Sequence, residues 1–245
     1  RPPTGAAADA VVWACAAAAR TLAPDAARPL PLPLPYLEPA FTPTAIPRTQ
    51  PPLALPAADR SLARMLAYLP VPLIGLPTGV AAEPWWLVLV AHEVGHHVQY
   101  DLEPDQAVIT RTADVVVGAA ADARWGDWGR ELFADAFAVA TVGAAAVAAT
   151  IDLEWTEPPA MVTPRGAYPP ALVRIAAQAE VGRALGLAIE GPTVAELAAA
   201  TEDRDAAAWI ARTPAVARAL VAMPLGAGDL RTLAAGFPGA GVLGG

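Results

Sequence analysis

The sequence predicts a mainly α fold with one short β element, an α+β arrangement. Three observations carry that reading. Apolar residues recur at helical spacing over long alanine-rich stretches, and the one strand-like run, Val71 to Pro77, is short and bounded by breakers. With 245 residues and 55% hydrophobic content, the chain can also bury one substantial core. The expected organisation is an N-terminal helix and proline-rich extended arm over 1–57, a core over 58–185, and a C-terminal helical extension of the same domain over 186–245.

Residues 5–22 form the first expected helix, closed by Pro24. From Pro24 to Pro56 there are eleven prolines, alternating from Pro29 to Pro35. Alternating proline prevents helix and removes sheet donors, so this stretch reads as an extended polyproline-like arm. It serves as a linker, wraps its own domain, or offers a partner's aromatic groove a ligand. A helix follows over Ala58 to Leu69, with Leu62, Met65, Leu66 and Leu69 on one side. Val71 to Pro77 reads as an edge strand because proline is tolerated there, and a peptide could add beside it.

The next helix carries the most informative residues. Pro84 suits its first turn, and Trp86, Leu87, Val90 and Val94 recur at helical spacing. Within it, Ala91-His92-Glu93-Val94-Gly95-His96-His97 contains HExxH. Residues four apart share a helix face, so His92 and His96 can present two imidazoles to one metal ion, with Glu93 at the rim. That is the donor pattern of a zinc hydrolase, in which the carboxylate takes a proton from water acidified by the metal. The competing reading is a chance match on a buried helix whose histidines bond locally.

Two histidines need a further protein ligand if the metal is to keep an open position. Only three histidines occur, and His97 points about 100° around the helix from His96. The third ligand therefore comes from a carboxylate or from Cys15. Asp101, Glu103 and Asp105 read as a solvated helix end beside Pro104, and Gln106 to Ala123 as another helix. Glu131-Leu132-Phe133-Ala134-Asp135 is the strongest candidate, on an apolar helix expected to run to Ile151. Glu131 and Asp135 share a face with the small Ala134 and Ala138, which permits close approach to the metal helix. Glu131 would ligate, and Asp135 would accept the other ring N–H of a ligand histidine. The bland reading is a solvated acidic pair at a helix start.

HExxH followed by ExxAD resembles the gluzincin metallopeptidases. Tyr168-Pro169-Pro170-Ala171-Leu172-Val173-Arg174-Ile175 is similar to the HPP…RI segment of the HtpX and CAAX-prenyl-protease-like group. The resemblance spans roughly residues 70–180 and implies a zincin-like domain with one Zn2+ ion. It implies His92, His96 and Glu131 as ligands, Glu93 as general base, Asp135 as support for a ligand histidine, and Arg174 near the substrate side. Tyr168 stands where the group has histidine, and a phenol can still donate a hydrogen bond to an oxyanion. The metzincin pattern does not apply, since its third histidine position is Leu102 here.

These readings converge on a zinc metalloendopeptidase acting on a peptide or protein substrate, with Tyr168 or Arg174 as oxyanion donor. The alternative is an inactive, zinc-stabilised interaction module that uses the proline arm. The formal net charge of -8, with no basic stripe, argues against nucleic acid as a partner. The single cysteine, Cys15, reads as a small hydrophobe. Ala136 to Ile151 is uncharged but too short for a membrane span, so a soluble, cytoplasmic protein is expected. The chain begins at Arg1, and an upstream segment would allow a membrane-associated or exported form. Beyond Arg174 helices are expected to the end, with a capping box at Thr193 to Glu196, a cap at Thr213 before Pro214, and a frayed tail from Gly241.

Overall fold

A computed structural model describes residues 4–23, 32–39, 43–47, 71–81, 83–191 and 193–237. They form a mainly helical fold with a small three-stranded sheet. The helix expected over 58–69 and the tail from 241 lie outside the described residues. α1 (Thr4–Arg20) buries Ala8, Val12, Cys15, Ala16 and Ala19, residues three or four apart, as the apolar spacing requires.

The sheet has the order β1 (Leu34–Glu38), β3 (Leu73–Pro77), β2 (Thr44–Ile46), parallel between β1 and β3 and antiparallel between β3 and β2. Two expectations are corrected here. The 71–77 run supplies the central strand, not an edge, because Pro77 closes it and Pro72 precedes it, which leaves both ladders their donors. The arm, in turn, supplies both flanking strands, so its described part belongs to the fold of this chain.

Backbone parity explains how so many prolines fit a sheet. Leu34 N–H donates to Pro72 O at 2.9 Å. With Leu34 opposite Leu73, even-numbered residues of β1 face β3, and Pro33, Pro35 and Pro39 face outward. The same alternation turns Leu73 and Gly75 toward Ile46 and Thr44, leaving Pro43, Ala45 and Pro47 outward on β2. Proline every second residue removes only donors that the ladder does not use. Among the described residues, each outer edge keeps one N–H, at Leu37 and at Ala45, which blunts both edges against strand addition.

A 3-10 turn over Pro84–Val88 leads into α2 (Leu89–Asp101), whose residues from Leu89 to Gln99 are all buried. α3 (Ala107–Ala120) follows, then α4 (Trp125–Val142), the central helix, with Trp125, Trp128, Leu132, Phe133, Phe137 and Val139 inside. The single long helix expected to Ile151 is interrupted: Gly143, at φ 66° and ψ -146°, separates α4 from α5 (Ala144–Glu154). Only glycine takes that conformation readily. The close approach of α2 and α4 depends on another glycine. A Cβ on Gly95 would lie 2.9 Å from Ala134 Cα.

A short turn, α6 (Pro158–Met161), leads by a hairpin to α7 (Ala171–Ala184), which packs on α4 and α5. α8 (Val194–Ala200) begins with the expected capping box between Thr193 and Glu196. α9 (Arg204–Val221) lies against α7 and α3, and α10 (Leu230–Ala235) against α4. The cap expected at Thr213 is corrected, since Pro214 sits inside α9. Proline there cannot donate to Ile210 O, and the Thr213 hydroxyl donates to that carbonyl instead, at 2.8 Å. Glu103 is also no solvated end: it accepts from Arg111 at 2.6 and 2.8 Å and from Gly226 N–H at 3.0 Å. Those bonds hold its pKa below the usual carboxylate value, Arg111 contributing most. Among the described residues no helix is long and apolar enough to cross a membrane.

Candidate metal centre

α2 and α4 bring three predicted ligands together. His92, His96 and Glu131 are all buried, with one potential ligand atom from each within 4.8 Å of the others. His92 Nε2 lies 3.4 Å from one Glu131 oxygen, and His96 Nε2 lies 3.6 Å from the other. Atoms bound tetrahedrally to one zinc at its usual bond lengths stand about 3.4 Å apart. Glu131 Oε2 has no hydrogen-bond partner although it is buried. A carboxylate oxygen so placed costs free energy unless a cation meets it, and the donor set of two imidazoles and one carboxylate suits zinc. The residues fit the ion.

Each histidine has its other nitrogen fixed, as a ligand requires. His92 Nδ1–H donates to Asp135 Oδ1 at 2.8 Å, because a carboxylate can only accept. His96 Nδ1–H donates to Gln99 Oε1 at 3.1 Å, and Gln99 Nε2 donates to Arg130 O at 3.2 Å. Both Nε2 atoms thereby face Glu131. The sequence reading missed Gln99. Its signal was spacing, an amide three residues after His96 on a helix buried through that point.

The site gathers charge. Burial pushes the His92 pKa down, but the Asp135 charge and hydrogen bond, followed by Glu131, lift it to about 10. Burial raises the Asp135 carboxyl, while Arg174 and then His92 bring it to about 2. Glu131 is held below its ordinary range by the two histidines, against the effect of burial.

Arg174, on α7, lies behind Asp135. Its Nε and Nη2 donate to the two Asp135 oxygens at 2.6 and 2.8 Å, and its Nη1 donates to Glu154 Oε1 at 2.7 Å. With 5% of its surface exposed, its guanidinium is committed to these two carboxylates. Tyr168 is more open, at 44%. It ends a hairpin in which Arg165 and Tyr168 exchange two backbone bonds of 3.1 Å. Gly166 occupies the first central position with φ 63°, as this turn demands. Burial, and then the negative charge of Glu131, push the Tyr168 phenol above its ordinary pKa.

A cleft of about 500 Å3 opens beside His92, lined by His92, Glu93, Glu154, Arg165, Tyr168 and Arg174 together with apolar Leu89 and Leu153. Pro43, just before β2, forms part of its rim. Glu93 thus opens onto the same cleft as its neighbour His92. His97 turns away from both, its Nε2–H donating to Leu73 O at 3.0 Å and tying α2 to β3. Burial lowers its pKa to about 4, so it is a neutral strut. Cys15 is in the α1 core, not in the cluster, and burial pushes its thiol up to about 11.

No family model, no curated protein and no solved structure matches this chain.

Proposed function

We propose that the chain is a zinc-dependent metallopeptidase that holds one Zn2+ with His92, His96 and Glu131 and hydrolyses peptide bonds in the adjoining cleft. One observation carries this reading: two tautomer-fixed imidazoles and a buried carboxylate converge within 4.8 Å, next to a carboxylate that faces a cleft. On this reading the resemblance to gluzincins is one of mechanism, and the domain is zincin-like. Zinc, when bound, polarises a carbonyl and brings the pKa of a coordinated water to about 7.

The chain's own residues do the rest. Glu93 accepts a proton from the attacking water and returns it to the leaving amine as the C–N bond breaks. Asp135 holds His92 in the tautomer that keeps Nε2 free, and Gln99 does the same for His96. Tyr168, which lines the cleft, would donate to a carbonyl oxygen there, since the guanidinium of Arg174 is taken up by Asp135 and Glu154. The edge nearest the cleft is β2, where Ala45 alone can exchange main-chain bonds, so selectivity rests on the cleft more than on strand pairing.

The first experiment is metal stoichiometry by mass spectrometry on the wild type and Glu131→Ala. One zinc in the wild type and a weakened or lost ion in the variant is the expected result; no zinc in the wild type after supplementation refutes the reading. Glu93→Gln should then keep the ion and lose chelator-sensitive cleavage of a peptide library. Retained turnover in that variant would remove Glu93 as the base.

A further inference from the structure

Glu154 lies outside HExxH, ExxAD and the Tyr168 to Ile175 segment, yet its carboxylate is buried where three parts of the site meet. It is the last residue of α5, with 8% of its side chain exposed. Its Oε1 accepts from Arg174 Nη1 at 2.7 Å, and its Oε2 accepts from Arg165 Nη2. Arg174 leads through Asp135 to the His92 ring. Arg165 is half exposed and belongs to the two-residue hairpin that ends in Tyr168.

We propose that Glu154 is a positioning residue that sets both the metal ligand His92 and the cleft residue Tyr168 from one buried carboxylate. This rests on the metallopeptidase reading of the same site. His92 and Arg174 compete for Asp135. Arg174 Nη2 is 2.8 Å from Asp135 Oδ1, the same oxygen that accepts from His92, and 3.4 Å from His92 Nδ1 itself. A guanidinium with a single carboxylate partner draws that partner's charge to itself. Glu154 supplies the counterweight: it satisfies the far side of Arg174 and leaves Asp135 able to accept strongly from His92, which keeps the imidazole basic toward a metal.

The second half concerns the hairpin. Arg165 reaches Glu154 from the strand end opposite Tyr168, so the ion pair fixes the height of the hairpin over the cleft. The guanidinium of Arg174 stands 5.9 Å from the Tyr168 ring centroid, within reach of a cation–π contact. Glu154 therefore governs both neighbours of Tyr168. A purely structural ion pair would predict one common effect on stability, whereas this arrangement predicts two separable effects.

The experiment compares Glu154→Gln with Arg165→Gln in the full chain, using zinc affinity by competition against a chromogenic chelator. Glu154→Gln should bind zinc about tenfold more weakly, the low end for an outer-shell change, and Arg165→Gln should bind it as the wild type does. Both should lose turnover, and adding Tyr168→Phe to Arg165→Gln should cost little more. In metal-free protein, the downfield proton resonance of His92 Nδ1–H should move in Glu154→Gln and stay in place in Arg165→Gln. Should Glu154→Gln fail to fold, Glu154→Asp keeps the charge, shortens its reach and is read the same way. Unchanged zinc affinity and an unmoved resonance overturn the proposal, as does an equal loss of affinity in the two variants. A wild type that binds zinc but cuts no peptide sinks the peptidase reading alone, and the affinity comparison still stands.

Discussion

The two halves of the site are built from different materials. His92 is backed by a chain of buried charges, Asp135, Arg174 and Glu154, contributed by α4, α7 and α5. His96 is backed by a neutral amide from its own helix, Gln99, which ends on a backbone carbonyl. Both arrangements fix a tautomer, but the first runs through three buried charges on α4, α7 and α5, and the second through one neutral amide to the backbone of α4. Buried charges are weak evidence of net stability yet costly to break singly, since the survivor is left uncompensated. His92 should therefore respond to the loss of a distant charge, whereas His96 should depend only on the contact between α2 and α4.

The largest test of that asymmetry is Arg174→Met. It replaces the buried cation that joins Asp135 to Glu154 by an apolar chain of similar reach, leaving Asp135 with His92 and Glu154 with Arg165. A loss of about 3–5 kcal/mol is expected, read as a fall in the denaturant midpoint at constant slope. The double variant Arg174→Met with Glu154→Met should recover part of that loss, because it deletes one of the stranded carboxylates. A neutral Arg174→Met would mean that the chain behind His92 carries no more than the amide behind His96.

How much of this was legible in the sequence follows the same division. The residues of α2 and α4 were readable because helical periodicity fixes which side chains share a face, and Glu131 and Asp135 four apart had to leave together. Glu154 was not readable: it lies beyond the Gly143 break, and only the turn of α5 against α7 brings it to Arg174. Gln99 carried only its spacing from His96 as a signal, and its second partner, Arg130 O, reaches it from α4 through tertiary packing. The sheet is hidden for a related reason. Proline removes a donor wherever it stands, but at every second position it strips only the outward row, and which row that is depends on strand parity and so on tertiary pairing. Pro214 taught the same lesson in a helix, where Thr213 covers the carbonyl that proline deserts.

An intermediate effect should come from Gly95, which lies between His92 and His96 in sequence and against Ala134 of α4. An alanine Cβ there would stand 2.9 Å from Ala134 Cα and 3.3 Å from Ala134 O, backbone atoms that cannot swing aside. Gly95→Ala should force α2 and α4 apart and cost about 1–3 kcal/mol, the usual range for overpacking, despite alanine's better helix propensity. Because the strain separates both histidines from Glu131, zinc affinity should fall with stability. If the variant instead gains stability while binding zinc normally, the helices are not in the contact that joins the two halves.

The smallest effect sharpens the comparison most. Gln99→Met preserves volume and apolar packing but leaves His96 Nδ1–H and Arg130 O without each other's mediator. The expected loss is about 1 kcal/mol, the net value of a neutral hydrogen bond, with some desolvation cost for the stranded groups. Zinc should bind about tenfold more weakly, since His96 can now rest in either tautomer and one of them turns the proton toward Glu131. The same change should leave the His92 resonance where it was, because no bond connects Gln99 to Asp135. Nitrogen spectra of the imidazoles would show it directly: mixed tautomers at His96 with a single one at His92 is the signature of two independently supported ligands. A shift at both would mean that α2 transmits the disturbance, and that the amide and the charge chain act as one support.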